Sequence, residues 1–257
     1  MKYVSVTFDD GRADNFDIAF PMMQKYELTA TLFCTTGYID GSWDGSASWK
    51  SADKPMTQEN LLALKEAGWE ISLHGDRHIT DADDLAVAEH KLRQWGLLSD
   101  TPGFSIPTSN ATADNICAIA DMDCVNYIRG GRKRDTKKLS SRILFGLYTL
   151  MHSQTAYNRF NKMNLNTVPP KDNMSLSSVV IRCGDDPRMI AKFIEQSPDN
   201  TWNILMFHSI LPENDSLYKA DSWCYSKNDF EAFCKSLSSL TDKKNVEVVN
   251  VNNMIKR

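Results

Sequence analysis

Residues 4–11 read Val4-Ser5-Val6-Thr7-Phe8-Asp9-Asp10-Gly11. The apolar side chains of Val4, Val6 and Phe8 alternate with small polar ones, the period-2 pattern of a half-buried strand. The strand ends on two adjacent carboxylates and a glycine. Asp-Asp-Gly is commonly no more than a turn, because aspartate caps neighbouring backbone and glycine accepts φ > 0. What raises it above a turn is that polar residues recur at the ends of the strand-like segments that follow.

Working outward, residues 29–35 and 69–74 read as the second and third strands. Shorter candidates lie at 103–107, 124–129, 177–182, 202–208 and 246–251. Helical patterns fall between them. Thr57 caps a helix over 58–67 that stops at Gly68, and residues 82–95 place Leu85, Ala88, Leu92 and Trp95 on one face. Asp186-Pro187 opens another helix, with a capping carboxylate and a proline at its first position. A further one carries Phe230, Phe233, Leu237 and Leu240 at helical spacing. About eight strands alternating with helices predict an α/β fold with a parallel sheet. Periodicity alone leaves an open sheet and a closed barrel equally available. Residues 130–176 break the rhythm: they lack a clear strand and hold Arg132, Lys133, Arg134, Lys137, Lys138 and Arg142 ahead of the apolar run 143–151. They read as a helical insertion within one domain spanning 1–257.

In a parallel α/β fold the carboxyl ends of the strands share one face, so residues some 200 positions apart can meet there. Asp9 and Asp10 end the first strand, His74 ends the third with His78 one turn later, and His208 ends the seventh. Pro107 and Arg129 follow the fourth and fifth. Amide hydrolysis is chemistry that such a set can perform. One divalent ion on two imidazoles and a carboxylate acidifies bound water and polarises a carbonyl, and that donor set suits zinc, with cobalt, nickel or manganese as alternatives. Asp10, His74 and His78 can supply the ligands, Asp9 the base, and His208 the acid for the departing nitrogen.

These residues resemble the polysaccharide deacetylases, the NodB-homology domain of carbohydrate esterase family 4. Thr7-Phe8-Asp9-Asp10-Gly11 is similar to that family's TFDDG signature, and His74-Gly75-Asp76-Arg77-His78 to its HxxxH motif. Ala30-Thr31-Leu32-Phe33 resembles its second strand, and Leu205-Met206-Phe207-His208 the strand ending in its catalytic histidine. The resemblance implies a distorted, TIM-like (β/α) barrel of about seven or eight strands. It also implies Asp9 as base, Asp10, His74 and His78 as ligands, and His208 as acid. The family's third motif usually brings an arginine to the base, whereas Phe104-Ser105-Ile106-Pro107 has Ser105 in its place. The aspartate–tryptophan element of the fourth motif is missing too, and Tyr127-Ile128-Arg129 stands there instead. We therefore expect Arg129 to approach Asp9 in place of the missing arginine, with Ser105 and Pro107 at the substrate.

The implied substrate is an acetylated amino sugar or glycan precursor, free or lipid- or nucleotide-linked, within polysaccharide biosynthesis. Alternatives are hydrolysis of a small cyclic imide or ureide, and a catalytically silent carbohydrate-binding barrel. Apolar residues are 42% and charged residues 24%, ordinary for a globular chain, and the net charge of −4 gives no reason to expect nucleic acid. Six cysteines without a CxxC pair predict reduced thiols. The first strand begins almost at Met1, and the longest apolar run is far short of the ~20 residues of a membrane span. A cytoplasmic address is expected on those grounds. His90 and His152 receive no role. The insertion is read as a lid or dimer contact in preference to a membrane-surface element.

Overall fold

The computed structural model describes residues 1–44, 54–133 and 137–257, so Arg134 of the basic cluster lies outside the described residues. In chain order the strands are β1 (Lys2–Asp10), β2 (Ala30–Cys34), β3 (Glu70–Leu73), β4 (Phe104–Ser105), β5 (Ile128–Arg129) and β6 (Asn166–Thr167). They continue with β7 (Val179–Val180), β8 (Thr201–Phe207), β9 (Ser209–Leu211), β10 (Cys224–Ser226) and β11 (Val246–Val248). β1 is central. On one side parallel pairing runs through β2, β3 and β4 to β5, with β11 beside the start of β1 on that same side, and on the other β1 pairs with β8. β7 lies parallel on β8. Just before it, Leu176 bridges Arg129, with the Gly130 N–H donating to the Leu176 carbonyl and the Leu176 N–H to Ile128. This contact joins β5 to the β7 side. It closes the curled sheet into the distorted (β/α) barrel that periodicity left open.

Alternation along each strand sorts residues into two layers. Val4, Val6 and Phe8 of β1 point outward and are fully buried under helices. The Phe8 ring lies 5.4 Å from Trp69 and 5.8 Å from Phe230, on the helix Lys227–Asp242. Burying each such side chain is worth about 1.5–3 kcal/mol. The opposite parity faces the lumen, and there the expectation of a half-buried strand fails: Ser5 and Thr7 are as buried as their neighbours. Their hydroxyls donate to the Val249 and Leu205 carbonyls at 2.7 and 3.0 Å, which removes the penalty for burying them. Phe33, Tyr127, Trp202 and Ile204 fill the lumen floor. Glu70 sits among them. Burial raises its carboxyl's pKa, against the hydroxyls of Tyr127, Thr31 and Ser72 and the Asn252 N–H, which all donate to it.

The expected helices appear as Gln58–Glu66, Ala82–Gln94, Pro187–Gln196 and Lys227–Asp242. Two strand readings need correction. The last strand stops at Val248, because Asn250 opens the helix Val251–Ile255. The segment 130–176 is indeed mostly helical (Leu139–Met151 and Gln154–Asn161), but it also contains β6. That strand lies antiparallel on β8 and is too short to show a period.

Candidate active site

Lumen parity carries straight into the site. Ser5, Thr7 and Asp9 share a face of β1, and Glu70, Ser72 and His74 share one on β3. Tyr127 and Arg129 do so on β5, and Trp202, Ile204, Met206 and His208 along β8. Asp10, next to Asp9, would point outward in a regular strand. Its φ of +83° turns the backbone, so both carboxylates reach the same cavity. Gly11 follows at φ +90°, where a Cβ would lie 2.9 Å from Ile39 Cδ1. A side chain there is disfavoured by both conformation and space.

The ligand-type atoms of Asp10, His74 and His78 lie within 4.8 Å of one another. His74 Nδ1 is 2.8 Å from the Ser105 carbonyl, so Nδ1 carries the hydrogen and Nε2 presents a lone pair to the centre. Asp10 Oδ1 is 3.4 Å from His74 Nε2 and 3.5 Å from His78 Nε2, and it is buried with no hydrogen bond among the described residues. Acceptor atoms converging on one buried point call for a cation, and a divalent ion fits this donor set. Arg12 occupies the other carboxylate oxygen, with Nε and Nη2 at 2.8 and 2.6 Å from Asp10 Oδ2, and its Nη1 reaches Ser209 Oγ at 2.5 Å. Burial pushes the Asp10 carboxyl up, but Arg12 and the imidazoles outweigh it and hold it well below the usual range.

Asp9 is the second carboxylate. The Arg129 guanidinium, fully buried, is ion-paired to Asp9 Oδ1, and the Ser105 hydroxyl lies 3.2 Å from Asp9 Oδ2. Arg129 also donates to Ser105 Oγ at 2.5 Å and packs 4.9 Å over the Phe33 ring. Burial alone would raise the Asp9 pKa, but Arg129, His74 and His208 turn the net shift downward. Asp9 is therefore an anion at neutral pH. His208 faces the pair from β8. Burial pulls it down to about 4, its Nδ1 has no hydrogen-bond partner among the described residues, and its ring stands 5.1 Å from Trp223.

These groups line a cavity of about 150 Å³ whose walls include Ile106, Thr108, Ser109, Met206 and Trp223. The structure thus gathers Asp9, Asp10, His74, His78 and His208 around one space, with Arg129 beneath Asp9. It does not bring Ser105 or Pro107 to the cavity wall. Ser105 lies under the carboxylate, its hydroxyl on Asp9 and its carbonyl on His74, and the next residues of the loop take the wall. Thr108 and Ser109, at φ +55° and +53°, turn that loop toward the cavity. Sequence reading missed Arg12 and Trp223. Arg12 directly follows the TFDDG segment and offered a signal, whereas Trp223 sits in a loop with none. His90 and His152 are exposed, away from the site.

The loop carrying His78 is built around Asp84, on the helix Ala82–Gln94. Its Oδ2 accepts from the Asp76 and Arg77 N–H groups at 2.8 and 3.2 Å, while Asp76 accepts from Thr36 and pairs with Lys91. Gly75 lies at φ +81°, where a Cβ would be 2.6 Å from Asp84 Oδ2. Gly75→Ala should cost about 1–3 kcal/mol and displace His78. A thermal melt and metal content per chain measure this, and unchanged values in both would show that the loop yields freely.

Residues 1–119 match the family model described as polysaccharide deacetylase. No curated protein sequence matches the chain. Among solved structures it is similar to the family 4 esterase domain of a multidomain xylanase from the Trinervitermes trinervoides hindgut metagenome, with 10% identity and TM-score 0.53 over 99% of this chain and 90% of that one. It is also similar to a family 4 acetyl xylan esterase from Clostridium thermocellum solved with a cobalt ion (13%, 0.51, 99% and 90%). A third is a peptidoglycan deacetylase from Bacillus subtilis (12%, 0.51, 99% and 91%). The first 119 residues thus match the polysaccharide deacetylase family, and the whole length carries the (β/α) barrel fold of the family 4 esterase structures.

Proposed function

We propose that the protein is a metal-dependent hydrolase removing the N-acetyl group of an amino sugar or glycan precursor in polysaccharide biosynthesis. The observation that carries this is the convergence of Asp10 Oδ1 with the Nε2 atoms of His74 and His78, beside a second carboxylate paired to a buried arginine. A bound divalent ion, zinc being the first choice, would be held by Asp10, His74 and His78 and would supply Lewis-acid polarisation and an acidified water. The clostridial relative solved with cobalt supports such an ion, and the Bacillus relative's name supports an acetylated glycan as substrate.

The chain's own residues do the rest. Asp9, kept anionic by Arg129, accepts the proton of the attacking water. His208 is a neutral imidazole at rest, because burial depresses its pKa and no carboxylate among the described residues bonds its Nδ1. It protonates the departing nitrogen after taking up the proton that Asp9 has removed. Trp223 packs against this imidazole and keeps bulk water from it, and the small cavity suits an acetyl group and the sugar edge next to it. We further propose a cytoplasmic setting, which six unpaired cysteines suit. Cell fractionation tests it.

Acetate release from acetamido sugars and their oligomers, before and after chelation and re-addition of zinc, cobalt, nickel or manganese, tests the activity. Release abolished by chelator and restored by metal is expected. A fully loaded protein that binds glycan without releasing acetate would return the silent barrel. Activity on a small imide, unchanged by chelation, would return the amidohydrolase.

A further inference from the structure

The helix Leu139–Met151 has one settled side and one bare side. Tyr148 and Ser141 are buried, and the rings of Phe145 and Tyr148 pack on Phe160 and Tyr157 of the next helix. On the other side Leu139, Ile143, Leu147, Leu150 and Met151 are 71, 53, 37, 83 and 70% exposed. At about 100° per residue these five share one arc roughly a third of the way round, opposite Phe145. An outer helix face with five large exposed aliphatic side chains, broken only by the small Ser140, marks a contact surface.

Charge identifies what covers it. Residues 130–176 hold nine lysines and arginines against two aspartates, in a chain whose net charge is −4. Lys138, Arg142, Arg159 and Lys162 are exposed around the arc. Next to it opens a cavity of about 490 Å³, lined by Arg142, Phe145, Leu150, Phe160 and Arg182. Arg182 Nε is buried there without a hydrogen-bond partner among the described residues. The Arg182 guanidinium also stands 5.3 Å over the Trp223 ring, so this cavity is separated from the catalytic one by a stacked pair. A second copy docking through the same face would press like-charged rims together. An anionic bilayer meets both the apolar arc and the positive rim.

We propose that this helix docks the protein on an anionic lipid surface, the aliphatic arc entering the acyl boundary while Arg142 and Arg182 receive a lipid phosphate. Docked this way, the protein holds its catalytic cavity beside the headgroups. The lid reading accounts for the buried side of the helix and leaves its outer side unexplained. The proposal does not rest on the deacetylase reading, and its test reads lipid binding rather than hydrolysis.

The experiment is co-sedimentation of the full chain with vesicles of phosphatidylcholine plus phosphatidylglycerol, and of phosphatidylcholine alone, at low and high salt. Binding is expected to the mixed vesicles and to weaken with salt. Ile143→Ser with Leu150→Ser should lower it by about tenfold or more, and Lys138→Glu with Arg142→Glu should do likewise, with far-ultraviolet spectra and melts unchanged. Absence of binding to either vesicle overturns the proposal, as does equal binding by wild type and both variants. So would a concentration-dependent dimer, lost in the aliphatic variant, from a chain that ignores vesicles.

Discussion

Arg129→Met should leave Asp9 buried without its counter-charge and cost about 3–5 kcal/mol of stability. Wild-type Asp9 titrates below its ordinary 3.8, so the pairing with Arg129 stabilises the fold above that value and is lost as pH falls through the lowered pKa. The deficit of the variant is therefore largest at neutral pH and shrinks toward pH 3. Function should suffer in the same direction. Arg129 is a positioning residue acting through the base: without it burial raises the Asp9 pKa, and the acid limb of the rate–pH profile moves to higher pH. The rate at neutral pH should fall by about 10²–10⁴, and Arg129→Lys should recover part of it by restoring a charge without the planar fork. Melts across pH, with kcat/KM profiles of both variants, check this. A lower rate with an unmoved acid limb would show that Arg129 merely fills space.

Arg12→Met is expected to have the second-largest effect, with a different signature. Arg12 neutralises Asp10 through Oδ2 and leaves Oδ1 to the cation. Removing it strands a buried carboxylate in the chelated protein, again at about 3–5 kcal/mol. In the metal-loaded protein the ion supplies positive charge to the same group and offsets part of the loss. Metal binding should thus carry more of the variant's stability, and the gap in melting temperature between loaded and chelated protein should widen relative to wild type. An equal gap in both would show that Arg12 does not balance the charge of Asp10.

The sequence made some of this legible because strand ends are. Asp9, Asp10, His74 and His208 stand at the ends of strands, with His78 a turn beyond His74, and the barrel carries the strand alternation into a shared lumen. Arg129 was legible as a replacement because Ser105 stood where an arginine was expected. Ser105 itself was misplaced: a residue in a two-residue strand has no period, so nothing indicated that its hydroxyl and carbonyl face inward. Barrel closure was invisible for a similar reason, since it depends on a bridge at Leu176 rather than on a patterned strand. Arg12 and Trp223 lie in turns and loops, where tertiary neighbours alone decide what a side chain touches.

The pairing of β1 also sets the order in which the molecule is completed during synthesis. One flank of this strand finds its neighbour early, Val6 beside Ala30, with Val246 completing its start later, but the other waits for Leu205. A ribosome will have released both carboxylates and both motif histidines long before anything covers that second flank. Until residues 201–207 emerge, the growing chain therefore exposes an unpaired strand flank on which other unfinished chains can pair. Translation pace and chaperone supply should therefore bear on how much folded protein is recovered.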